Sequence, residues 1–79
     1  MDPITEEVMR ILVDELGADA DAIAPDARFE DLDLDSLVLV ELSVILQRRY
    51  GTSIREEELT ADQTVADAAA LVRHKAAAV

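Results

Sequence analysis

Apolar residues recur at helical spacing in the first segment of this 79-residue chain. Asp2 and Pro3 provide an N-cap and a first helical residue, and Gly17 is a natural stop. The apolar positions repeat every 3.6 residues and form one face: Ile4, Val8, Ile11, Leu12 and Leu16. The pattern predicts a first helix from Pro3 to the region of Leu16.

Periodicity is lost between Ala18 and Asp35, where acidic residues and Pro25 interrupt the chain. We predict a long loop here, and a loop this long in a compact domain is usually functional or a misread element. Its expected anchors to the core are Ile23, Phe29, Leu32 and Leu34.

A second helix is predicted from Ser36 to Tyr50, with Asp35 as its N-cap and Gly51 as its stop. Its apolar residues occupy most of the circumference. Because a core-facing stripe covers only part of a helix, some of them must face solvent or a partner.

The capping-box spacing of Ser53 and Glu56 predicts a short third helix through Leu59. A weaker version at Thr64 and Asp67 opens a fourth helix that runs to about residue 77. Its expected buried face consists of Val65, Ala68 or Ala69, Leu71 and Val72.

These elements predict an all-α fold, a small four-helix bundle with three long helices, one short helix and a long loop between the first two helices. We expect a single domain over residues 1–79, since so short a chain closes only one core. Aromatic residues make up 3% of the chain, so Leu, Val, Ile and Ala must build that core. Without cysteine there is no disulfide, thiol nucleophile or cysteine-based zinc site.

Charge narrows the choice of partner. Seven Lys and Arg against 18 Asp and Glu give a formal charge of −11, which repels nucleic acid and anionic membranes, so partners should be basic. No apolar run approaches the ~20 residues that span a bilayer. The acidic start, Met1-Asp2-Pro3, is unlike a signal peptide, and the sequence predicts a cytoplasmic protein.

A metal site is not predicted. Asp31, Asp33 and Asp35 alternate like the first ligands of a calcium-binding helix–loop–helix. However, Ser36 stands where the turn requires glycine, and Leu42 where the closing glutamate belongs.

Catalytic residues are not predicted either. The single histidine, His74, lies between Arg73 and Lys75 late in the last helix, and nothing links it to Ser36 as a base. There is no glycine-rich phosphate loop. The chain is therefore not expected to be an enzyme.

Ser36 is the most distinctive residue. Taken alone, a serine at a helix start is most simply a cap. Residues 29–37, which end in Asp35-Ser36-Leu37, are followed by Val40-Glu41-Leu42, then Leu46 and Tyr50-Gly51. This arrangement resembles the acyl carrier protein family over nearly the whole chain.

The resemblance implies that Ser36 accepts 4′-phosphopantetheine from coenzyme A through a separate phosphopantetheinyl transferase. The terminal thiol of that arm would carry an acyl group as a thioester for fatty acid or polyketide biosynthesis. Expected partners are synthase enzymes such as a ketosynthase, and an acyltransferase or an acyl-activating ligase, with the carrier itself a monomer. The expected contact residues are Asp35, Leu37, Val40, Glu41 and Val44.

Two departures from the family pattern affect the interpretation. Asp33 stands where the family often has glycine, and Val38, Gln47, Arg48 and Arg49 stand where bacterial fatty-acid carriers tend to be acidic. These favour a specialised carrier, for example in polyketide synthesis. A peptidyl, aminoacyl or aryl carrier is an alternative, and so is an acidic helical interaction module in which Ser36 stays unmodified.

Overall fold

The computed structural model describes residues 2–77. It contains three α-helices: α1 (Pro3–Asp14), α2 (Ser36–Tyr50) and α3 (Val65–Ala77). Two 3₁₀ turns, Phe29–Leu32 and Glu56–Glu58, lie in the connections. Over residues 2–77 there is no strand, only an isolated antiparallel bridge between Arg28 and Thr64. The structure confirms the prediction of a small all-helical fold.

α1 begins with Pro3, whose missing N–H would have no helical acceptor in any case. The Asp2 side chain does not cap the backbone as predicted. Instead, its carboxylate accepts a hydrogen bond from the Thr5 hydroxyl (3.2 Å) and pairs with Arg73 of α3. The helix ends at Asp14, slightly before the predicted stop at Gly17.

The long connection between α1 and α2 is partly structured by the first 3₁₀ turn, which periodicity did not reveal. Phe29 is completely buried, and its N–H donates to the Gln63 carbonyl (3.0 Å). The Val65 N–H donates in return to the Ala27 carbonyl (3.0 Å). These bonds fix the connection against the start of α3 and thereby position the segment that leads into α2.

The predicted short third helix is the single 3₁₀ turn Glu56–Glu58. The Glu56 side chain, half of the predicted capping box, lies outside what the structure describes. The observed cap is different, because the Glu58 carboxylate accepts from the Arg55 N–H (2.9 Å). Ile54 and Leu59 are buried on either side, and this close spacing of anchors leaves room for one tight turn.

The core is aliphatic apart from Phe29, and α1 packs mainly against α3. As predicted, Val65, Ala68, Ala69 and Val72 are buried on α3, with Leu71 half-buried. The other core residues are Val8, Ile11, Leu12, Ala18, Phe29, Leu32, Leu34, Leu39, Leu42, Leu46, Ile54 and Leu59. No described helix is long and apolar enough to cross a membrane.

Candidate functional site at the start of α2

Ser36 is the first residue of α2, and its side chain is exposed. The preceding residue, Asp35, has extended backbone and caps the helix, since its carboxylate accepts from the Val38 N–H (3.0 Å). The Asp35 carbonyl also accepts from the Leu39 N–H (3.2 Å). Because Asp35 performs the capping, the Ser36 hydroxyl is not needed as a cap, and it makes no hydrogen bond to any described residue.

The segment before Ser36 is held by alternating buried side chains. Leu32 and Leu34 are buried, while Asp33 and Asp35 between and after them are exposed. Asp33 adopts a left-handed conformation (φ 57°, ψ 32°), the only described non-glycine residue to do so. This reversal directs the chain out of the 3₁₀ turn and into α2, so that Ser36 lies at the surface.

A cavity of about 340 Å³ opens beside Ser36. Leu39 and Val40 of α2 form one wall, and Glu57 and Leu59 form the other. Three of the four wall residues are apolar, and a mostly apolar lining with a few polar groups is typical of a small-molecule site. The sequence analysis did not place Glu57 and Leu59 beside Ser36. The only sequence signal was the close spacing of the apolar residues Ile54 and Leu59, which indicates that this segment packs on the core.

The residues present fit a phosphodiester at Ser36. The hydroxyl is accessible, and the first backbone N–H groups of a helix have no acceptors within it and carry partial positive charge. The unpaired N–H groups and their partial positive charge favour an anion at this end of α2. The described residues hold no group of three acidic or histidine side chains able to bind a metal ion.

The outer face of α2 is apolar and accessible next to Ser36. Leu37 is 65% exposed and Val44 is 40% exposed, the two large hydrophobic side chains that protrude most among the described residues. Val40 is half-buried, and Glu41 is exposed between them. The structure thus brings the predicted contact residues Asp35, Leu37, Val40, Glu41 and Val44 to one surface.

At the opposite end of α2, an ion-pair network joins α2 to α1. Glu7 binds Arg10 on its own helix (2.6 Å) and Arg49 on α2, and Glu15 lies 3.7 Å from Arg49. The hydrogen bond from Arg10 lowers the pKa of the Glu7 carboxyl, against the opposing effect of burial, and both arginine charges lower it further. Tyr50 is half-buried nearby, where burial raises its pKa. The sequence analysis did not predict this network, and the only local signal for it is the three-residue spacing of Glu7 and Arg10 on α1.

Comparisons with known proteins agree with this geometry. Residues 6–72 match the family described as "Phosphopantetheine attachment site". The chain is 40% identical over 73 residues to an acyl carrier protein of Solidesulfovibrio magneticus, covering 91% of this chain and 94% of that one. It is 41% identical over 75 residues to an acyl carrier protein of Petrotoga mobilis, covering 94% and 88%.

A solved structure is also similar. It is the NMR structure of a 3-oxo-butyl carrier, an intermediate mimic from the actinorhodin polyketide synthase of Streptomyces coelicolor. The TM-score is 0.76 at 32% identity, covering 95% of this chain and 92% of the other.

The helical fold and the matched attachment family define the class, a small phosphopantetheine-dependent carrier domain. The chain belongs to the acyl carrier protein family. It is a carrier and not an enzyme, its cofactor is 4′-phosphopantetheine, and its role implies a phosphopantetheinyl transferase and synthase enzymes as partners.

Proposed function

We propose that the Ser36 hydroxyl is the attachment point of 4′-phosphopantetheine. The observation that carries this proposal is the exposed, unbonded side chain of Ser36 on the first residue of α2, next to an N-cap supplied by Asp35. In the transfer, Ser36 Oγ bonds to the phosphorus that bears the pantetheine arm of coenzyme A. The phosphoanhydride bond breaks, 3′,5′-ADP leaves, and a base of the transferase takes the hydroxyl proton.

This chain's own residues hold and present the attached group. The dipole of α2 and its first N–H groups favour the phosphodiester charge, and the buried Leu34 and Leu39 on either side fix the anchor. The bound arm supplies a terminal thiol, which carries the acyl group as a thioester. Because a transferase provides the base in trans, the absence of a neighbouring histidine is consistent with this role.

The partner surface comprises Asp35, Leu37, Val40, Glu41 and Val44. Leu37 and Val44 supply apolar contact area, and the carboxylates attract basic rims on partner enzymes. Such contacts raise encounter rates more than affinity, which suits a carrier that must release its cargo.

The carrier would serve polyketide or fatty acid biosynthesis, and a peptidyl, aminoacyl or aryl cargo is the alternative. The similarity to the actinorhodin carrier supports the polyketide reading, and so do the cationic residues Arg48 and Arg49 late in α2. A ketosynthase and an acyltransferase or acyl-activating ligase would then be the enzymes served. We further propose that residues 1–79 form one monomeric, cytoplasmic carrier domain, with the turn Glu56–Glu58 in place of the third helix of a four-helix bundle.

The deciding experiment is intact mass before and after incubation with coenzyme A, magnesium and a promiscuous phosphopantetheinyl transferase. We expect the wild type to gain one phosphopantetheine and Ser36→Ala to gain none while keeping its helical circular dichroism. Ser53→Ala is the matched control, because Ser53 is also exposed but lies outside α2, and it should load like the wild type.

Two results would contradict the proposal. One is loading of Ser36→Ala, which would place the arm elsewhere. The other is a folded, initially unmodified wild type that no competent transferase loads. That outcome would favour the acidic interaction module with an unmodified Ser36.

A further inference from the structure

The turn Glu56–Glu58 and Leu59 form the cavity wall that faces α2, and their own hydrogen bonds are local. The Glu58 N–H donates to the Arg55 carbonyl (3.0 Å), a bond of the 3₁₀ type, whose geometry is poorer than that of an α-helix. The Glu58 carbonyl accepts from the side-chain amide of Gln63 (3.1 Å). These bonds shape the turn but do not tie it to a helix.

One ion pair connects this turn to α3. The Lys75 ammonium, in the last turn of α3, lies 2.8 Å from the Glu58 carboxylate, and both side chains are half-buried. The ammonium is the main influence that lowers the pKa of the Glu58 carboxyl, ahead of the Arg55 N–H. No other hydrogen bond or ion pair between described residues joins residues 55–59 to a helix. Lys75 thus holds the wall from the side of α3.

The chain after the wall is fixed to the first 3₁₀ turn. The Glu30 N–H donates to the Ala61 carbonyl (2.9 Å), and the Phe29 N–H donates to the Gln63 carbonyl (3.0 Å). The Phe29 side chain is completely buried, so this attachment is anchored in the core. Motion of the wall is therefore confined to the residues before Ala61, which pivot about the attachment.

We infer that the ion pair between Lys75 and Glu58 is a latch, which holds the turn Glu56–Glu58 against α2 and lets the cavity widen when it breaks. The consequence for cargo rests on the proposed function, since an arm at Ser36 must present a group to the cavity. A surface ion pair is weak, so the open state is a minor but accessible population. A group bulkier than the closed cavity binds only the open state, and its apparent affinity rises with the open fraction.

The first test follows amide hydrogen exchange by NMR in the unmodified protein. Lys75→Gln removes the charge of the latch, and we expect it to speed exchange of the Glu58 N–H about two- to fivefold. The Phe29 and Glu30 N–H groups should exchange at the wild-type rate, because their bonds lie on the fixed side of the pivot. Lys75→Arg restores the charge and should restore the wild-type rate at Glu58.

Arg73→Gln is the matched control for this test. It removes one positive charge from the same helix, but Arg73 pairs with Asp2 rather than with the turn. Exchange of the Glu58 N–H should therefore stay at the wild-type rate. An equal effect of Arg73→Gln and Lys75→Gln, or faster exchange at Phe29 and Glu58 alike, would overturn the latch.

The second test asks whether the latch governs the cavity. Ser36 is loaded with a pantetheine analogue that ends in an uncharged, environment-sensitive fluorophore bulkier than the 340 Å³ cavity, and loading is verified by mass. Lys75→Gln should shift the emission to shorter wavelength than in the wild type, and Arg73→Gln should not. Emission unchanged by Lys75→Gln would overturn the inference but leave the attachment at Ser36 intact. Failure to load Ser36 would overturn the proposed function, and the exchange rates of the unmodified protein would still decide whether the latch exists.

Discussion

Asp33 and Asp35 show how two residues of the same type serve different purposes on either side of one leucine. Asp35 has extended backbone and satisfies the N–H of Val38. Asp33 occupies the left-handed region that favours glycine, and aspartate tolerates it better than most side chains but at some cost in energy. The site is thus positioned by one residue that stabilises its helix and one that is mildly strained.

Replacing Asp33 with glycine should relieve that strain. We expect Asp33→Gly to raise the free energy of unfolding by about 0.5 to 1 kcal/mol, measured by urea denaturation, since glycine adopts a positive φ without a Cβ clash. Asp31→Gly is the control, because Asp31 is also exposed but lies within the 3₁₀ turn, and it should lower stability. Equal destabilisation by both variants would contradict the assignment of strain to Asp33.

At the scale of single residues, a feature could be predicted only where neighbouring residues in the sequence determine it. The Asp35 cap follows from a short side chain placed before a helical run, and the structure confirms it. The Asp2 cap was wrong because the distant Arg73 competes for the same carboxylate, a contact that no local pattern encodes. The only indication of the left-handed backbone at Asp33 was that the family often has glycine at this position, and glycine readily adopts that conformation.

Among the elements, α3 begins with the most complete cap. The Thr64 N–H donates to the Asp67 carboxylate (3.0 Å), and the Asp67 N–H donates to the Thr64 hydroxyl (3.0 Å). Aspartate, though shorter than the usual glutamate, therefore closes the box that the sequence suggested only weakly. The stronger sequence signal, at Ser53 and Glu56, instead precedes a single 3₁₀ turn.

These two sites give a paired comparison. Thr64→Ala should lower the free energy of unfolding by about 1 kcal/mol, because the Asp67 N–H loses its acceptor at the start of α3. Ser53→Ala should change it by only a few tenths of a kcal/mol, since Ser53 makes no hydrogen bond through its side chain to a described residue. Chemical denaturation of both variants tests this, and a larger effect at Ser53 would show that the predicted box forms in solution.

The three α-helices were predictable because each carries apolar residues at helical spacing after a local start signal, at Pro3, Asp35 and Thr64. The first 3₁₀ turn was not predicted and the second was predicted only as a longer helix, since three or four residues are too few to establish a period. Their positions depend on bonds between distant segments, such as that from the Phe29 N–H to the Gln63 carbonyl. The cavity beside Ser36 was missed for the same reason, because the turn Glu56–Glu58 and Leu59 supply one of its walls.

For the whole molecule, the balance of charge opposes folding. Acids are dense between Asp14 and Asp35, with only Arg28 among them. The ion pairs on the surface are exposed or half-buried, and an exposed pair contributes at most about 1 kcal/mol. When salt screens both, the stability gained from weaker repulsion among the acids should therefore exceed the stability lost from weaker ion pairs. Screening is expected to stabilise the native state.

The melting temperature should accordingly rise when millimolar magnesium or sodium chloride is added to a low-salt buffer. Each kcal/mol gained corresponds to about 4 to 8 °C for a domain of this size. Comparing the two salts at equal ionic strength separates general screening from preferential binding of the divalent ion. A melting temperature unchanged by either salt would show that repulsion does not limit stability.

The packing of α1 against α3 also has a consequence for synthesis on the ribosome. Val8, Ile11 and Leu12 are fully buried in the folded protein, but α3, against which α1 mainly packs, is synthesised after α1 and α2. Fifty residues, 15–64, separate the end of α1 from the start of α3, so at ordinary translation rates α1 waits roughly 3 to 10 s for its partner. During that interval the apolar face of α1 is open to chaperones, and the carrier can complete its fold only after α3 has been synthesised.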